Sequence, residues 1–137
     1  MTWTSDDRRW MKHLHAYVTN ADPLEPEYVG FFNAGQKIYF WAIAGSAVLF
    51  VVTGVPMWFP RTFAGIPLQF GYLVHDITFI LFAMLIIIHV YLGTVAEPGT
   101  FVSMTRGTVT RAWARLHHPR WYREVTGEEP HPPRQHV

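Results

Sequence analysis

The stretch of sequence from Phe70 to Val95 reads FGYLVHDITFILFAMLIIIHVYLGTV. It is apolar almost throughout, with Asp76 as its one acidic residue, and it exceeds the roughly 20 residues with which an α-helix crosses a bilayer. A second stretch, Ile38–Phe59, reads IYFWAIAGSAVLFVVTGVPMWF and carries no charge. The two stretches predict two transmembrane helices; a buried helical pair in a soluble protein is the alternative, which the long uncharged run disfavours.

The connection between the two spans is short and rich in turn-forming residues, and it reads PRTFAGIPLQ. Two spans joined so closely form an antiparallel hairpin. The connection holds one basic residue, Arg61, and the flanks hold ten: Arg8, Arg9, Lys12, Lys37, Arg106, Arg111, Arg115, Arg120, Arg123 and Arg134. Because basic residues stay on the cytoplasmic side, both termini are predicted to be cytoplasmic and the connection to lie outside. The fold class is therefore an all-α integral membrane protein.

The length of 137 residues leaves room for one domain. We divide the chain into a cytoplasmic or interfacial leader (residues 1–32), a transmembrane hairpin (33–97, spans 38–59 and 70–95) and a basic cytoplasmic tail (98–137). A short interfacial helix is predicted over residues 6–18 and a helix over 101–116, with disorder from Gly127. The sequence contains no cysteine, which excludes a Cys-ligated iron–sulfur cluster in it. No motif indicates nucleic-acid binding, and no signal peptide is expected before the first span.

Two histidines, His75 and His89, lie inside the second span. An intramembrane histidine is by default a functional candidate, because its ring is costly to bury in lipid. Fourteen residues of helix separate the pair by about 21 Å and rotate the second ring to within about 40° of the first. One helix face with two imidazoles suits the axial ligation of two haem irons stacked across the bilayer. Hydrogen-bonded packing and a proton relay are the competing interpretations, although no polar residue stands on the stripe between the rings.

Two further segments are candidates for contact with cofactors. Gly54 is expected at the depth of His75, where the lack of a side chain would let a haem edge approach the backbone; close helix packing explains such a glycine equally well. Asn33, Gly35 and Gln36 open the first span near the predicted depth of His89. Their amides and exposed main chain could bind a quinone headgroup, whereas the alternative is an ordinary helix N-cap.

The chain resembles the gamma subunit (cytochrome b556) of membrane-bound respiratory formate dehydrogenases. The resemblance rests on FNAGQK at Phe32–Lys37, VTG at Val52–Gly54, IHVY at Ile88–Tyr91 and HHPRWYRE at His117–Glu124, together with His75 and the FW pair at residues 40–41. The resemblance covers residues 28–125, and this region is similar to the C-terminal half of that subunit.

The resemblance implies a four-helix bundle holding two b haems, in which His75 and His89 each supply one axial ligand. It also implies a menaquinone or ubiquinone site near the cytoplasmic haem, with Asn33, Gly35, Gln36 and His89 among its residues. The implied partners are an iron–sulfur subunit and a molybdenum- or tungsten-containing catalytic subunit, in the inner (cytoplasmic) membrane. Electrons would then pass through the two haems to the quinone pool.

The family subunit has two further helices that supply the second ligand of each haem, and this sequence does not contain them. His13 and His15 lie in the polar leader and are poor substitutes. A split-off first half or a second copy of this chain would supply the missing ligands. Two other functions stay open from the sequence: the cytochrome b of another quinone-linked oxidoreductase, such as a hydrogenase, and a haem-free membrane anchor.

Overall fold

The structure, a computed structural model, describes residues 1–15, 26–65 and 67–130. Its described part consists of helices, in the order α1 (Ser5–Met11), α2 (Ala34–Trp58), α3 (Leu68–Tyr91), a π-helical segment (Leu92–Ala96), α4 (Thr100–Arg106), α5 (Arg111–His117) and α6 (Pro119–Thr126). They divide into two compact units. Residues 38–96 form the hairpin unit, and residues 1–37 with 97–137 form the terminal unit.

The hairpin unit contains the two long helices, α2 and α3, which agree with the predicted spans to within a few residues at their ends. The start of α2 contacts the end of α3, and the end of α2 contacts the start of α3. The ring of Tyr39 stacks on His89 at a centroid distance of 4.4 Å, Phe50 meets Phe82 edge-on at 5.5 Å, and Thr53 reaches His75. This order of contacts confirms the predicted antiparallel hairpin.

Both long helices are apolar on their outer surfaces and long enough to cross a membrane. The large side chains point outward, among them Trp58, which is 81% exposed in the isolated chain. The hydroxyls within the helices are satisfied by their own backbone: Ser46 donates to the carbonyl of Ala42 and Thr78 to that of Val74. Such internal pairing is what lipid requires, because hydrocarbon offers polar groups no partner. The exposed apolar surface therefore suits lipid or a neighbouring helix.

The terminal unit joins the leader to the tail. Its centre holds the buried rings of Trp10 and Tyr122. The ring of His118 donates from Nδ1 to the carbonyl of Gly30 over 2.9 Å, and the backbone N–H of Arg120 donates to the carbonyl of Val29 over 3.0 Å. The leader and the tail lie at opposite ends of the sequence, and no local sequence pattern predicts that they pack together into one unit.

The helix predicted over residues 101–116 is wrong, because the structure divides it into α4 and α5. Gly107 adopts a positive φ of 67° and ends α4, a conformation that glycine adopts without steric cost. The hydroxyl of Thr110 then accepts a hydrogen bond from the N–H of Trp113 and caps α5. The left-handed Gly107 and the N-cap at Thr110 outweigh the helical periodicity on either side.

The ends of the chain differ in part from two smaller expectations. The leader helix α1 ends at Met11, Lys12 and His13 form a turn, and Leu14 and His15 are helical again, while residues 16–18 of the predicted helix lie outside the described part. Disorder from Gly127 is wrong for Glu128 and Glu129. The carboxylate of Glu128 accepts hydrogen bonds from Arg115 and Tyr122, and Glu129 pairs with Arg123 at 3.0 Å. Residues 131–137 lie outside the described part.

Candidate functional site

His75 lies in the second turn of α3, half-buried against α2. Its Nδ1 is 2.8 Å from the hydroxyl oxygen of Thr53, and the ring of Phe50 meets it edge-on at 5.0 Å. A Cβ added to Gly54 would stand 3.5 Å from Cε1 of His75. The predicted proximity of Gly54 and His75 is therefore confirmed, and the glycine leaves the imidazole room against the backbone of α2.

His89 lies near the end of α3 and is exposed in the isolated chain. The phenol ring of Tyr39 lies parallel to it, with an interplanar angle of 9°. Stacking fixes the plane of the imidazole through its face and leaves the edge of the ring, with both nitrogens, open to a ligand. The two histidines are thus held differently: His75 through a nitrogen atom and His89 through its face.

Both histidines belong to one uninterrupted helix, Leu68–Tyr91, so the predicted rise of about 21 Å and rotation of about 40° between the rings apply. A b-type haem takes imidazole nitrogens as axial ligands and needs a flat apolar cleft. The imidazoles, the bare backbone at Gly54 and the aromatic side chain of Phe50 fit such a group. Within residues 1–15, 26–65 and 67–130, no three His, Asp or Glu side chains cluster in a way that could hold a bare metal ion.

Asn33 and Gln36 form a reciprocal cap at the start of α2. The N–H of Gln36 donates to Oδ1 of Asn33 over 2.9 Å, and the N–H of Asn33 donates to Oε1 of Gln36 over 3.0 Å. This arrangement satisfies two backbone donors that a helix start leaves open. The bonds use the side-chain oxygens, while the amide nitrogen of the exposed Gln36 points away from them. The N-cap interpretation weighed from the sequence is therefore the one that these contacts favour.

Gly35 lies under an aromatic ring of its own unit. A Cβ at this position would stand 3.2 Å from Cη2 of Trp10 and 3.4 Å from Oδ1 of Asn33. The space that a side chain at Gly35 would occupy is thus taken by the ring of Trp10. Asn33, Gly35 and Gln36 belong to the terminal unit and His89 to the hairpin unit.

A buried ion pair lies beside this segment. Nζ of Lys37 donates to Oδ2 of Asp7 over 2.8 Å, and only 5% of the Asp7 side chain is exposed. Burial raises the pKa of Asp7, but hydrogen bonds from Lys37 and Thr4 lower it by more, so the carboxyl titrates below its ordinary range. The pair fastens α1 to the first turn of α2.

A second titratable pair follows the π-helical segment. Nε2 of His117 lies 3.6 Å from a carboxylate oxygen of Glu97, and the ring of Trp113 covers His117 at a centroid distance of 4.8 Å. Burial raises the pKa of Glu97 and lowers the pKa of His117. Burial also lowers the pKa of His118, although its bond to Gly30 opposes this change.

The sequence did not single out two residues that touch the histidines, Thr53 and Tyr39. Thr53 stands next to Gly54 in an apolar run, and a hydroxyl at the depth predicted for His75 was a usable signal. Tyr39 stands at the start of a span, where aromatic residues are common at any membrane interface. Nothing in the sequence distinguishes it from such an anchor.

The described geometry is that of an all-helical protein with two long apolar helices, one of which carries both His75 and His89. A model of the family described as prokaryotic cytochrome b561 matches residues 1–107, so the chain belongs to that family. This membership makes it a membrane protein of the cytochrome b class, and it implies haem b as the cofactor.

Known relatives narrow the comparison within the family. The chain is 37% identical over 123 residues to the formate dehydrogenase cytochrome b556(fdo) subunit of Escherichia coli K12. The aligned region covers 88% of this chain and 56% of the relative. The chain is 39% identical over 104 residues to the nitrate-inducible cytochrome b556(Fdn) subunit of the same strain, covering 74% and 48%. A formate dehydrogenase cytochrome b556 subunit of Haemophilus influenzae is 36% identical over 122 residues, covering 87% and 50%.

These relatives confirm the resemblance found in the sequence. The chain spans about half the length of the curated relatives that it matches.

Proposed function

We propose that the chain is the membrane-anchor cytochrome b subunit of a formate dehydrogenase-like complex and passes electrons through two b haems to the quinone pool. The observation that carries the proposal is the placement of His75 and His89 on one face of α3. The three relatives described above support the proposal, because each is named as a cytochrome b556 subunit of a formate dehydrogenase.

Each of the two histidines would hold one haem. Haem b, when bound, supplies reversible one-electron transfer through its iron. His75, half-buried, would ligate the haem toward the outer face, and His89 the haem toward the cytoplasm. Gly54 would give the first of these haems room beside α2, since a Cβ there would stand 3.5 Å from the His75 ring. The helical rise of about 21 Å between the two histidines would hold the haems at different depths in the membrane.

The second axial ligand of each haem would come from a partner membrane chain. A four-helix bundle formed with a split-off first half, or with a second copy of this chain, would provide it. The exposed apolar faces of α2 and α3 support such a partner: Val51, Val52 and Ile87 are each more than 60% exposed in the isolated chain. Lipid would cover the surface that the partner leaves free.

The quinone would bind at the cytoplasmic end of the hairpin. The amide nitrogen of Gln36 offers a donor to a quinone carbonyl, while its oxygen stays in the cap with Asn33. His89 has the open ring edge that a neighbouring headgroup requires. Gly35 would act by admitting the Trp10 ring that packs beside Asn33. We infer that menaquinone or ubiquinone is the acceptor.

The remaining assignments follow the charge pattern and the relatives. Both termini would face the cytoplasm and the connection at Arg61 the opposite side of the inner membrane. The leader, residues 1–32, and the basic tail, residues 98–137, would then be on the cytoplasmic side of the membrane. The partners would be an iron–sulfur subunit and a molybdenum- or tungsten-containing catalytic subunit.

Reoxidation of the reduced complex by a quinone analogue tests this function. We expect a menaquinone analogue to reoxidise dithionite-reduced b haem in the wild-type complex, and His89→Ala to abolish most of that reoxidation. Gln36→Ala should slow it with haem content unchanged, whereas Gln69→Ala, at the other end of the hairpin, should leave it unchanged. Equal rates in all variants would contradict the quinone assignment and favour a different acceptor, whereas the absence of reducible b haem from the wild-type complex would favour a haem-free anchor.

A further inference from the structure

The bond between Thr53 and His75 has an atom-level consequence for the haem site. The hydroxyl oxygen of Thr53 makes two short contacts: 2.6 Å to the backbone carbonyl of Leu49 and 2.8 Å to Nδ1 of His75. A hydroxyl has one hydrogen to donate. A carbonyl oxygen can only accept, so the hydrogen of Thr53 is used on Leu49.

The direction of the second bond follows from the first. With its hydrogen on Leu49, the Thr53 oxygen can only accept from the imidazole, so Nδ1 of His75 must carry the proton. A neutral imidazole with a protonated Nδ1 has its lone pair on Nε2. The ring is therefore already in the tautomer that an axial haem ligand needs.

From this geometry we infer that Thr53 is a positioning residue for the haem at His75: it fixes the tautomer and plane of the imidazole and raises its basicity as an axial ligand. The inference rests on the proposed function. Hydrogen bonds of this kind to the outer nitrogen of a ligating histidine orient the ring and strengthen its donation to the metal. Thr53 acts through His75 and does not itself touch the iron in this account.

Neighbouring contacts support the assignment. Phe50 stands edge-on to His75 one turn before Thr53, and Gly54 stands against Cε1 one residue after it. The three residues lie on one face of α2 and contact the His75 ring at different points. His89 offers the contrast, since its ring rests on Tyr39 by stacking and no described residue bonds its nitrogens. The two haems should therefore have axial imidazoles of unequal basicity.

The prediction concerns the midpoint potential of one haem. A more basic ligand stabilises ferric iron, so Thr53→Val, which keeps the shape and removes the hydroxyl, should shift the potential of the His75 haem upward. The potential of the His89 haem should stay unchanged. Potentiometric titration of the purified complex measures both, and the wave that is absent from His75→Ala identifies the His75 haem. The electron paramagnetic resonance signal of the same ferric haem should also shift its largest g value.

Two variants separate the hydrogen bond from general effects of substitution. Thr53→Ser retains a hydroxyl that can bond both Leu49 and His75, and it should restore the wild-type potential and g value. Thr94→Val removes a hydroxyl that donates to the carbonyl of Val90, in the membrane-spanning stretch that also contains His75. This variant should change neither the potential nor the g value. Loss of the His75 haem in Thr53→Val, with retention in Thr53→Ser, also supports the inference.

The results that overturn the inference differ from those that overturn the proposed function. An unchanged potential and g value in Thr53→Val would reject the role of Thr53 while leaving the haem ligands in place. The same shift in Thr53→Ser or in Thr94→Val would also reject it. A wild-type complex without b haem would instead overturn the proposed function, and this inference with it.

Discussion

Single residues in the hairpin unit set the space around each candidate ligand. Gly54 is the clearest case, because a Cβ at this position stands 3.5 Å from His75, which is ordinary van der Waals contact. A γ-carbon directed toward the ring would have to displace the imidazole. The position thus tolerates a methyl group, whereas a larger side chain would compete with the ring and with a haem edge for the same space.

We therefore expect Gly54→Ala to retain the haem at His75 and Gly54→Leu to lose most of it. A pyridine haemochrome assay on the purified complex counts the haems. Gly45→Leu is the matched control on the same helix, since a Cβ there meets nothing within 4 Å. Full haem content in Gly54→Leu would show that the glycine serves helix packing alone.

In the terminal unit, His118 couples folding to pH. Burial lowers its pKa below the ordinary value of 6.5 despite the bond to Gly30, so the unfolded chain binds the proton more readily than the folded one. Stability is complete above about pH 6.5 and falls as the pH drops toward the folded pKa. His117, whose pKa burial also lowers, adds a loss of the same sign.

The expected result is a weaker terminal unit at pH 5.5 than at pH 7.5. Hydrogen exchange in α6, corrected for the intrinsic effect of pH, measures the change. His118→Asn keeps a donor for the carbonyl of Gly30 and removes the titrating ring, so it should reduce this pH dependence, with His117 accounting for what persists. An identical pH dependence in the variant would exclude His118 as its source.

Among the elements, α1 is held to the start of α2 by one buried ion pair. Asp7 and Lys37 are both mostly buried, and removal of one charge would leave the other without a partner. Breaking a buried pair in this way costs about 3 kcal/mol or more. The exposed pair between Asp6 and Arg120 is worth less than about 1 kcal/mol.

Asp7→Asn should accordingly lower the free energy of local opening of α1 by about 3 kcal/mol, as measured by native-state hydrogen exchange. Asp7→Asn combined with Lys37→Met should recover part of that loss, because no lone charge is then buried. Asp6→Asn serves as the exposed control and should cost less than about 1 kcal/mol. Equal effects of the two single variants would contradict the buried pairing.

The elements also show what sequence can and cannot predict. Apolar run length and the turn-rich connection were enough for the hairpin, and helical periodicity was enough to place His75 and His89 on one face. The bond from Thr53 depends on the register and rotation of two helices, which run lengths do not specify to within one residue. The bond from His118 to Gly30 joins residues far apart in sequence, and no periodic pattern encodes such a contact.

The whole molecule has an uneven charge distribution that predicts its direction in the membrane. One basic residue, Arg61, stands in the connection between the spans, and the other ten stand outside them. By the positive-inside rule, we expect both ends of the chain to face the cytoplasm. Alkaline phosphatase, active only outside the cytoplasm, should thus be inactive when fused after residue 137 and active when inserted after Gly65. The reverse pattern would contradict the topology.

A dithionite-reduced minus oxidised spectrum of the purified membrane complex, with haem counted per copy of this chain, shows whether His75 and His89 hold haem. We expect b-type absorption, with two haems per chain when a split partner supplies the second ligands, or one per chain in a homodimer. His75→Ala and His89→Ala should each remove half of that haem. Absence of b-type absorption from a complex with both histidines intact would rule out haem ligation by this chain.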